Sequence, residues 1–391
     1  MNTPAKPLAG RRIWFVGIGG AGLSAYAQLA RAWGAEVGGW DRVSTPYLAH
    51  LDGVDVTIGP EPEAPPGWEV VVSSAFRFPG RSRAGLLAEL VALRDAIVVA
   101  GSHGKGTTAA MIAFVLRECG RDPSFLIGAD VPQLGGNAGA GGGWLVVEGD
   151  ESDRTVAALR PRIAVVTNLE LDHHTTFAST AELVALFEDW LAEVPLVVRD
   201  AEPADIELAL PGEHNRRNAG AALEAVRLAG VSRAEAAPVL ARFRGSARRF
   251  EAHDVGAVVV VDDYAHHPTE ISATLAAARE RWPERRQLVL FQPHLYSRTR
   301  HLAAEFGAAL AAADRVAVAD VYPARELPIP GLTGKLVVDA LSDRGRLAAW
   351  TPSVEAGIEQ VLREVRAGDV VVILGAGDVD RAAPLLLERL R

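Results

Sequence analysis

Short apolar runs with β character alternate with longer helical patterns along almost the whole chain. That alternation constrains the fold more than any other feature of the sequence. Strand-like runs fall at 12–16, 36–40, 70–73, 96–100, 144–148, 163–167, 257–262, 287–292, 315–319 and 370–374. Helical patterns fall between many of them, at 21–33, 180–193, 215–228, 269–282, 299–312 and 354–366. This order predicts parallel sheets covered by helices. Such sheets take ligands in the crevice outside the carboxyl ends of their strands, so function is sought in the polar residues that follow each strand. Pro62, Pro65 and Pro66 mark a loop, and the glycine-rich stretch 135–143 reads as a flexible turn.

The 391 residues suggest two or three domains, at roughly 100–200 residues each. Composition shifts divide them at 1–95, 96–245 and 246–391. Hydrophobic content of 49% supplies ample core, and no apolar run approaches the roughly 18–20 residues that cross a bilayer, so no membrane insertion is expected. The first residues carry no signal-peptide core. The single cysteine, Cys119, read as ending a helix, excludes an internal disulfide and fits a reducing compartment; a cytoplasmic protein is expected. A net charge of −9 argues against nucleic-acid binding. It does not argue against nucleotides, which need only a local set of cations. The four arginines between 242 and 249 are either a solvated loop or such a set.

The run at 96–100 leads into Gly101, Ser102, His103, Gly104, Lys105, Gly106, Thr107 and Thr108, and then into a helical stretch. Strand, glycine loop, Lys, Thr, helix is the layout of a phosphate-binding loop: backbone N–H groups turn toward an anion at a positive helix terminus. Lys105 is suited to the terminal phosphates, and a following hydroxyl to Mg²⁺. The longer consensus wants Gly where this chain has Val99, and Ser or Thr where it has Gly106. A plain glycine turn is the alternative.

Other clusters share the placement. Gly17, Gly19, Gly20, Ala21 and Gly22 follow the first strand and fit G-x-G-x-x-G, with Asp41 ending the next strand. Alone, this pattern suggests a dinucleotide dehydrogenase; physically, it requires only a diphosphate and a ribose. Glu148 ends a strand ahead of Asp150, Glu151 and Asp153, and one carboxylate there suffices for Mg²⁺. Asn168, Asp172, His173 and His174 follow another strand. Asp263, Tyr264, His266 and His267 follow a later one, and His294, Tyr296 and Arg298 another.

Together these residues resemble the ATP-dependent Mur ligases, and most specifically the alanine-adding members. The resemblance rests on 17–22, 101–108, E-G-D-E-S-D at 148–153, T-N-L-E-L-D-H at 167–173 and G-E-H-N-R-R-N at 212–218. It continues through R-R-F at 248–250, D-D-Y-A-H-H-P-T-E at 262–270, the motif at 291–300, D-V-Y-P-A-R-E at 320–326 and 374–378, all in family order. It implies an α/β fold of three domains: a Rossmann-like N-terminal domain for the UDP-sugar, a central P-loop ATP-binding domain and a Rossmann-like C-terminal domain. It implies peptidoglycan precursor synthesis, with UDP-N-acetylmuramate, L-alanine, ATP and Mg²⁺ as reactants and cofactor, in a monomer or homodimer.

Carried over by position, the resemblance sets the diphosphate on residues 17–22, with Asp41, Ser73 and Ser74 near the uridine. Lys105 and its loop take the β- and γ-phosphates. Glu148 and His173 hold metals, with Thr107 or Thr108 supplying the hydroxyl that Gly106 lacks. Asn215 and Asn218 match adenine contacts, Arg249 a phosphate contact and Asp263 a ribose contact. Tyr264, His266, His294 and Arg298 surround the muramoyl and alanine groups, and His173 or His266 is suited to assist amine deprotonation. The Lys-Gly-Thr order is similar to the related folylpolyglutamate synthases. The stretch 177–211 is shorter than the family pattern, which predicts missing strands in the central domain, and the stretch 74–87, in the UDP-binding domain, is trimmed as well. A sister ligase adding another amino acid or a recycled peptide, an NAD-dependent oxidoreductase and a non-catalytic nucleotide binder are the alternatives.

Overall fold

The computed structural model describes residues 6–172, 176–324 and 326–391. By contact the chain divides into two compact units. One runs to Ala209 and takes in Arg216–Ser246; the other comprises Leu210–Asn215 and Ala247–Arg391.

The first unit carries two sheets. In the first sheet, β1 (Arg12–Val16), β2 (Glu36–Asp41), β3 (Asp55–Ile58), β4 (Glu69–Val72) and β5 (Arg81–Ser82) lie in the order β3-β2-β1-β4-β5. All its pairings are parallel. The chain winds outward from β1 to β3 and then returns to β4 on the other side, so β1 and β4 flank a topological switch point. Helices α1 (Ala21–Ala32) and α2 (Arg83–Ala92) belong to this sheet's connections. Trp14, Val16, Trp40 and Val72 are buried beneath Trp68 and Phe76, and the Trp14 indole N–H donates to the Glu63 carbonyl. The proline-marked loop thus closes one face of this sheet.

The second sheet has the order β11-β10-β6-β9-β7-β8. Its strands are β6 (Ala96–Ala100), β7 (Ser124–Val131), β8 (Gly136–Gly139), β9 (Leu145–Glu148), β10 (Ile163–Val166) and β11 (Leu196–Val198). Helices α3 (Lys105–Glu118), α4 (Thr180–Leu191), α5 (Glu213–Leu228) and α6 (Arg233–Leu240) follow in sequence. Strand β6 is buried throughout and α3 is buried along Thr107–Leu116, which fixes the loop between them on a rigid frame. Cys119 caps the carboxyl end of α3. The reading of 135–143 as a flexible turn is corrected here: Gly136–Gly139 pairs antiparallel with β7. A Cβ on Gly139 would fall 2.3 Å from the Phe125 ring, so the missing side chain is what lets the strand lie there.

The second unit holds the third sheet, ordered β12-β13-β17-β14-β15-β16. It comprises β12 (Glu251–Val255), β13 (Val258–Asp263), β14 (Gln287–Phe291), β15 (Arg315–Val318), β16 (Ala348–Trp350) and β17 (Val370–Leu374). Helices α7 (Pro268–Arg281), α8 (Tyr296–Leu310), α9 (Lys335–Ser342), α10 (Val354–Glu364) and α11 (Ala382–Arg389) accompany it. Separate apolar clusters fill its two faces. Only the β12 pairing is antiparallel, a hairpin edge that the all-parallel expectation did not include.

Candidate active site

Strand β6 has β9 on one side and β10 on the other, all parallel, so the segments after these three strands meet at one sheet edge. The loop after β6 is shaped by two glycines in the left-handed region, Gly101 at φ 126° and Gly104 at φ 81°. A Cβ on Gly101 would fall 2.4 Å from Thr167 Oγ1, and one on Gly104 would fall 2.5 Å from Asn218 Oδ1. The T-N-L-E segment clamps the loop. The Asn168 side chain accepts from His103 N–H at 3.0 Å and donates to His103 O at 2.8 Å. Thr167 Oγ1 also donates to His103 O, and Ser102 Oγ donates to Glu170 O. His103 Nε2 lies 3.0 Å from Glu170 Oε2.

Lys105 opens α3, and its ammonium folds back onto the loop. Nζ donates to Gly101 O at 2.5 Å and Ser102 O at 3.1 Å, and sits 3.0 Å from Glu151 Oε2. Burial opposes the charge, but Glu151, with Asp150 and Glu148 behind it, reverses that effect and holds the ammonium above its ordinary range. The amino end of α3 has no side-chain cap, which leaves its first N–H groups available to a phosphate.

Glu148 ends β9 against the first turn of α3. It accepts the Gly128 N–H at 2.5 Å, and a Cβ on Gly106 or on Gly128 would lie 3.2 Å from its Oε1. Thr107 is 7% exposed; Thr108 is fully enclosed, and its Oγ1 has no hydrogen-bond partner among the described residues. A carboxylate against the first turn of a helix that carries two threonine hydroxyls is a donor set that suits Mg²⁺. His173, the other expected metal ligand, lies outside the described residues.

In the first sheet, the Gly17–Gly22 turn follows β1, Asp41 ends β2, and Ser73 and Ser74 follow β4, so all of them border the switch point. Asp41 is buried and accepts the Gly19 and Arg42 N–H groups, both at 2.7 Å; it holds the glycine turn directly. Gly17, at φ 91°, lies close enough to Ser73 that a Cβ would sit 2.8 Å from Ser73 Cβ. Gly20 caps α1 with no side-chain bond to its first turn, which Ala21 and Gly22 begin. A cluster that the sequence reading did not assign joins this turn to the acidic loop: Arg83 pairs with Asp150 at 2.5 Å and Asp153 at 2.8 Å.

In the second unit, Asp263 is buried and accepts Phe250 and Ala265 N–H groups, each at 2.7 Å. Burial pushes its carboxyl up to about 6 against the opposing charge of Arg249. Tyr264, His266, His294 and Tyr322 form a continuous row of rings with centroid spacings of 5.3, 5.8 and 5.7 Å. Arg249 lies over the Tyr264 ring, His266 Nδ1 is 3.2 Å from Glu270, and Arg298 meets His294 at 3.3 Å. Leu295, between His294 and α8, holds φ 72°, a strained value for a branched residue. Tyr322 and Glu270 joined this cluster without having been singled out as site residues. Asn215 donates to Pro211 O at 2.7 Å.

The fold and these sites define a nucleotide-phosphate-binding α/β protein with a Lys–carboxylate centre. Its sequence matches the family profiles described as Mur ligase middle domain over residues 99–189 and Mur ligase, glutamate ligase domain over 248–377. UDP-N-acetylmuramate–L-alanine ligase of Paenarthrobacter aurescens is 37% identical, with 97% of each chain covered. The crystal structure of the UDP-N-acetylmuramate-alanine ligase of Thermotoga maritima superposes with a TM-score of 0.81 at 26% identity, covering 97% of this chain and 98% of that one. A murein peptide ligase from Psychrobacter arcticus gives 0.66 at 25% identity, covering 97% and 99%. The chain belongs to the Mur ligase family.

Proposed function

We propose that this chain is an ATP-dependent ligase that joins L-alanine to the lactyl carboxylate of UDP-N-acetylmuramate in peptidoglycan precursor synthesis. What carries the reading is the meeting of Lys105, Glu148 and the Asn168 segment at one sheet edge, in a chain whose full-length relatives are named as alanine ligases. Its three domains are 1–95, 96–245 and 246–391, and it works in the cytoplasm as a monomer or homodimer.

The lactyl carboxylate attacks the γ-phosphorus of ATP and ADP leaves. The α-amine of L-alanine then attacks the acyl carbon of the acyl phosphate, forming the amide and releasing phosphate. The first step brings anions together, so the charge of Lys105 and the N–H groups of residues 104–106 at the uncapped start of α3 must offset the γ-phosphate as it transfers. Glu148, Thr107 and His173 are the residues for Mg²⁺, which supplies further neutralisation when bound. Of the two threonines, Thr107 is favoured because it keeps some exposure while Thr108 is enclosed.

The Gly17–Gly22 turn takes the UDP diphosphate, with Asp41, Ser73 and Ser74 toward the uridine. Asn215 and Asn218 serve the adenine, Asp263 the ribose and Arg249 a phosphate. Tyr264, His294 and Arg298 border the muramoyl and alanine groups. His266, with its Nδ1 near both Tyr264 O and Glu270, is suited to accept the amine proton. A hydride-transfer reading leaves the Lys105–Glu148 centre without a task.

The test is phosphate release from ATP by purified protein with UDP-N-acetylmuramate, offering L-alanine, glycine, L-serine or a tripeptide separately. Release that depends on L-alanine is expected. Release with no amine dependence rejects a ligase, and dependence on the tripeptide alone assigns the sister activity.

A further inference from the structure

Arg83 stands apart from every role assigned above, yet it touches two of the assigned regions. It is the first residue of α2, behind the N-cap Ser82. Its guanidinium reaches the acidic loop after β9, 2.5 Å from Asp150 Oδ2 and 2.8 Å from Asp153 Oδ2. The same guanidinium lies against the first turn of α1, where a Cβ on Gly22 would be 3.7 Å from it. Tyr26, one turn further along α1, is buried within the field of Arg83, Asp150 and Asp153.

The charges explain why this arrangement is more than a brace. A cation beside a helix amino end sits at the positive pole of that helix, which is unfavourable unless anions accompany it. Asp150 and Asp153 supply them on one side. Burial opposes ionisation of Asp150, but Arg83, Ser152 and Lys105 outweigh it and hold the carboxyl below its usual range. On the other side, the N–H groups of Gly17, Ile18, Gly19 and Gly20 are taken up within the protein, and the uncapped first turn of α1, at Ala21 and Gly22, is the part that faces a diphosphate beside the same cation. The acidic loop is otherwise internally ordered: Asp150 accepts from Ser152 N–H and Oγ–H, and Asp153 accepts from Thr155 N–H. The same loop carries Glu151, the partner of the Lys105 ammonium.

We propose that Arg83 is a positioning residue that links the two phosphate loops. Through its clamp on Asp150 and Asp153 it makes binding of the nucleotide-sugar diphosphate at Gly17–Gly22 and of the triphosphate at Lys105 mutually reinforcing. The inference rests on the ligand assignments of the proposed function. Each ligand favours the arrangement in which Arg83 holds Asp150 and Asp153, so the second binds a site already biased toward it. By linkage, the two affinities change by one common factor.

Calorimetric titration tests this with the whole chain, Mg²⁺, UDP-N-acetylmuramate and a non-hydrolysable ATP analogue, each ligand alone and with the other saturating. The unaltered protein should show a common tightening of about fivefold or more, the lower range of measured couplings. In Arg83→Ala the factor should fall to about one while both ligands still bind singly. Arg83→Lys should restore only part, because a point charge cannot bridge two carboxylates as the planar fork does. Asp153→Asn, with Arg83 intact, should lower the factor too and carries the test if Arg83→Ala folds poorly. A factor of one in the unaltered protein, or a factor preserved in the Arg83 and Asp153 variants, overturns the proposal. No binding of UDP-N-acetylmuramate to the unaltered protein overturns the functional reading on which it rests.

Discussion

Glu151 holds the ammonium of Lys105: its Oε2 lies 3.0 Å from Nζ, with the Glu151 side chain 2% and the Lys105 side chain 18% exposed. The pair is thus a buried one, and the lysine meant for phosphate rests on a carboxylate. Removing one partner strands the other charge, at a cost of about 3–5 kcal/mol. Lys105→Ala should therefore abolish turnover and also lower the unfolding midpoint in denaturant. Lys105→Ala with Glu151→Ala should regain part of the stability and none of the turnover. Equal stability of the single and double variants would contradict a paired, buried Glu151.

Asp263 gives a pH dependence with a definite sign. Its carboxyl is raised from 3.8 to about 6, first by burial and against the pull of Arg249 and two N–H donors. Between those values the folded state holds a proton that the unfolded chain releases, so stability falls as pH rises from about 4 to 6 and is then level. The full span corresponds to about 3 kcal/mol. Asp262 is raised as well, by burial first, and adds in the same direction. Asp263→Asn should flatten most of this slope in urea titrations at pH 4.5, 5.5 and 7. An unchanged slope would place the effect elsewhere.

Asn168 is the residue that most directly sets the phosphate loop, since it bonds both the N–H and the C=O of His103. Asn168→Ala leaves both groups without that partner and should raise KM for ATP about tenfold, in line with the loss of one or two hydrogen bonds at about 1 kcal/mol each. Asn168→Asp keeps the acceptor and loses the donor, and should fall between. Steady-state kinetics with ATP varied would reveal it, and an unaffected KM would show that the loop keeps its shape without Asn168.

The parts of this protein legible in the sequence were those whose chemistry is local. Lys105 follows its glycines within one turn, and Glu148 ends a strand of continuous apolar residues, so both positions could be read from spacing. The edge strand Gly136–Gly139 could not: it has no side-chain alternation, and its conformation is set by pairing with β7 and by Phe125 filling the space above Gly139. The pairings of Arg83 and of Glu151, which was noted only as one of the acids after Glu148, could not be read for a different reason. Their partners lie 67 and 46 residues away, and nothing in local pattern tells a charge that will be paired from one that will be solvated.

Gly106 is where the phosphate loop departs from the family pattern, and the geometry says what a side chain there would meet. Its Cβ would lie 3.2 Å from Glu148 Oε1, so a hydroxyl at position 106 would stand beside the proposed metal carboxylate. Thr107 leaves the helix about 100° further round, so its hydroxyl would approach a metal on that carboxylate from another direction. If Thr107 supplies the missing hydroxyl, Thr107→Val should raise the Mg²⁺ concentration for half-maximal activity by about tenfold, the lower range for loss of a supporting metal contact. Gly106→Ser in the same background should recover much of that affinity. Alone it should add about 0.5 kcal/mol of stability, because serine favours a helical backbone more than glycine does. Direct Mn²⁺ binding followed by electron paramagnetic resonance separates metal affinity from catalysis. If Thr107→Val binds Mn²⁺ as tightly as the unaltered chain, the hydroxyl is not a ligand and Glu148 holds the metal without it.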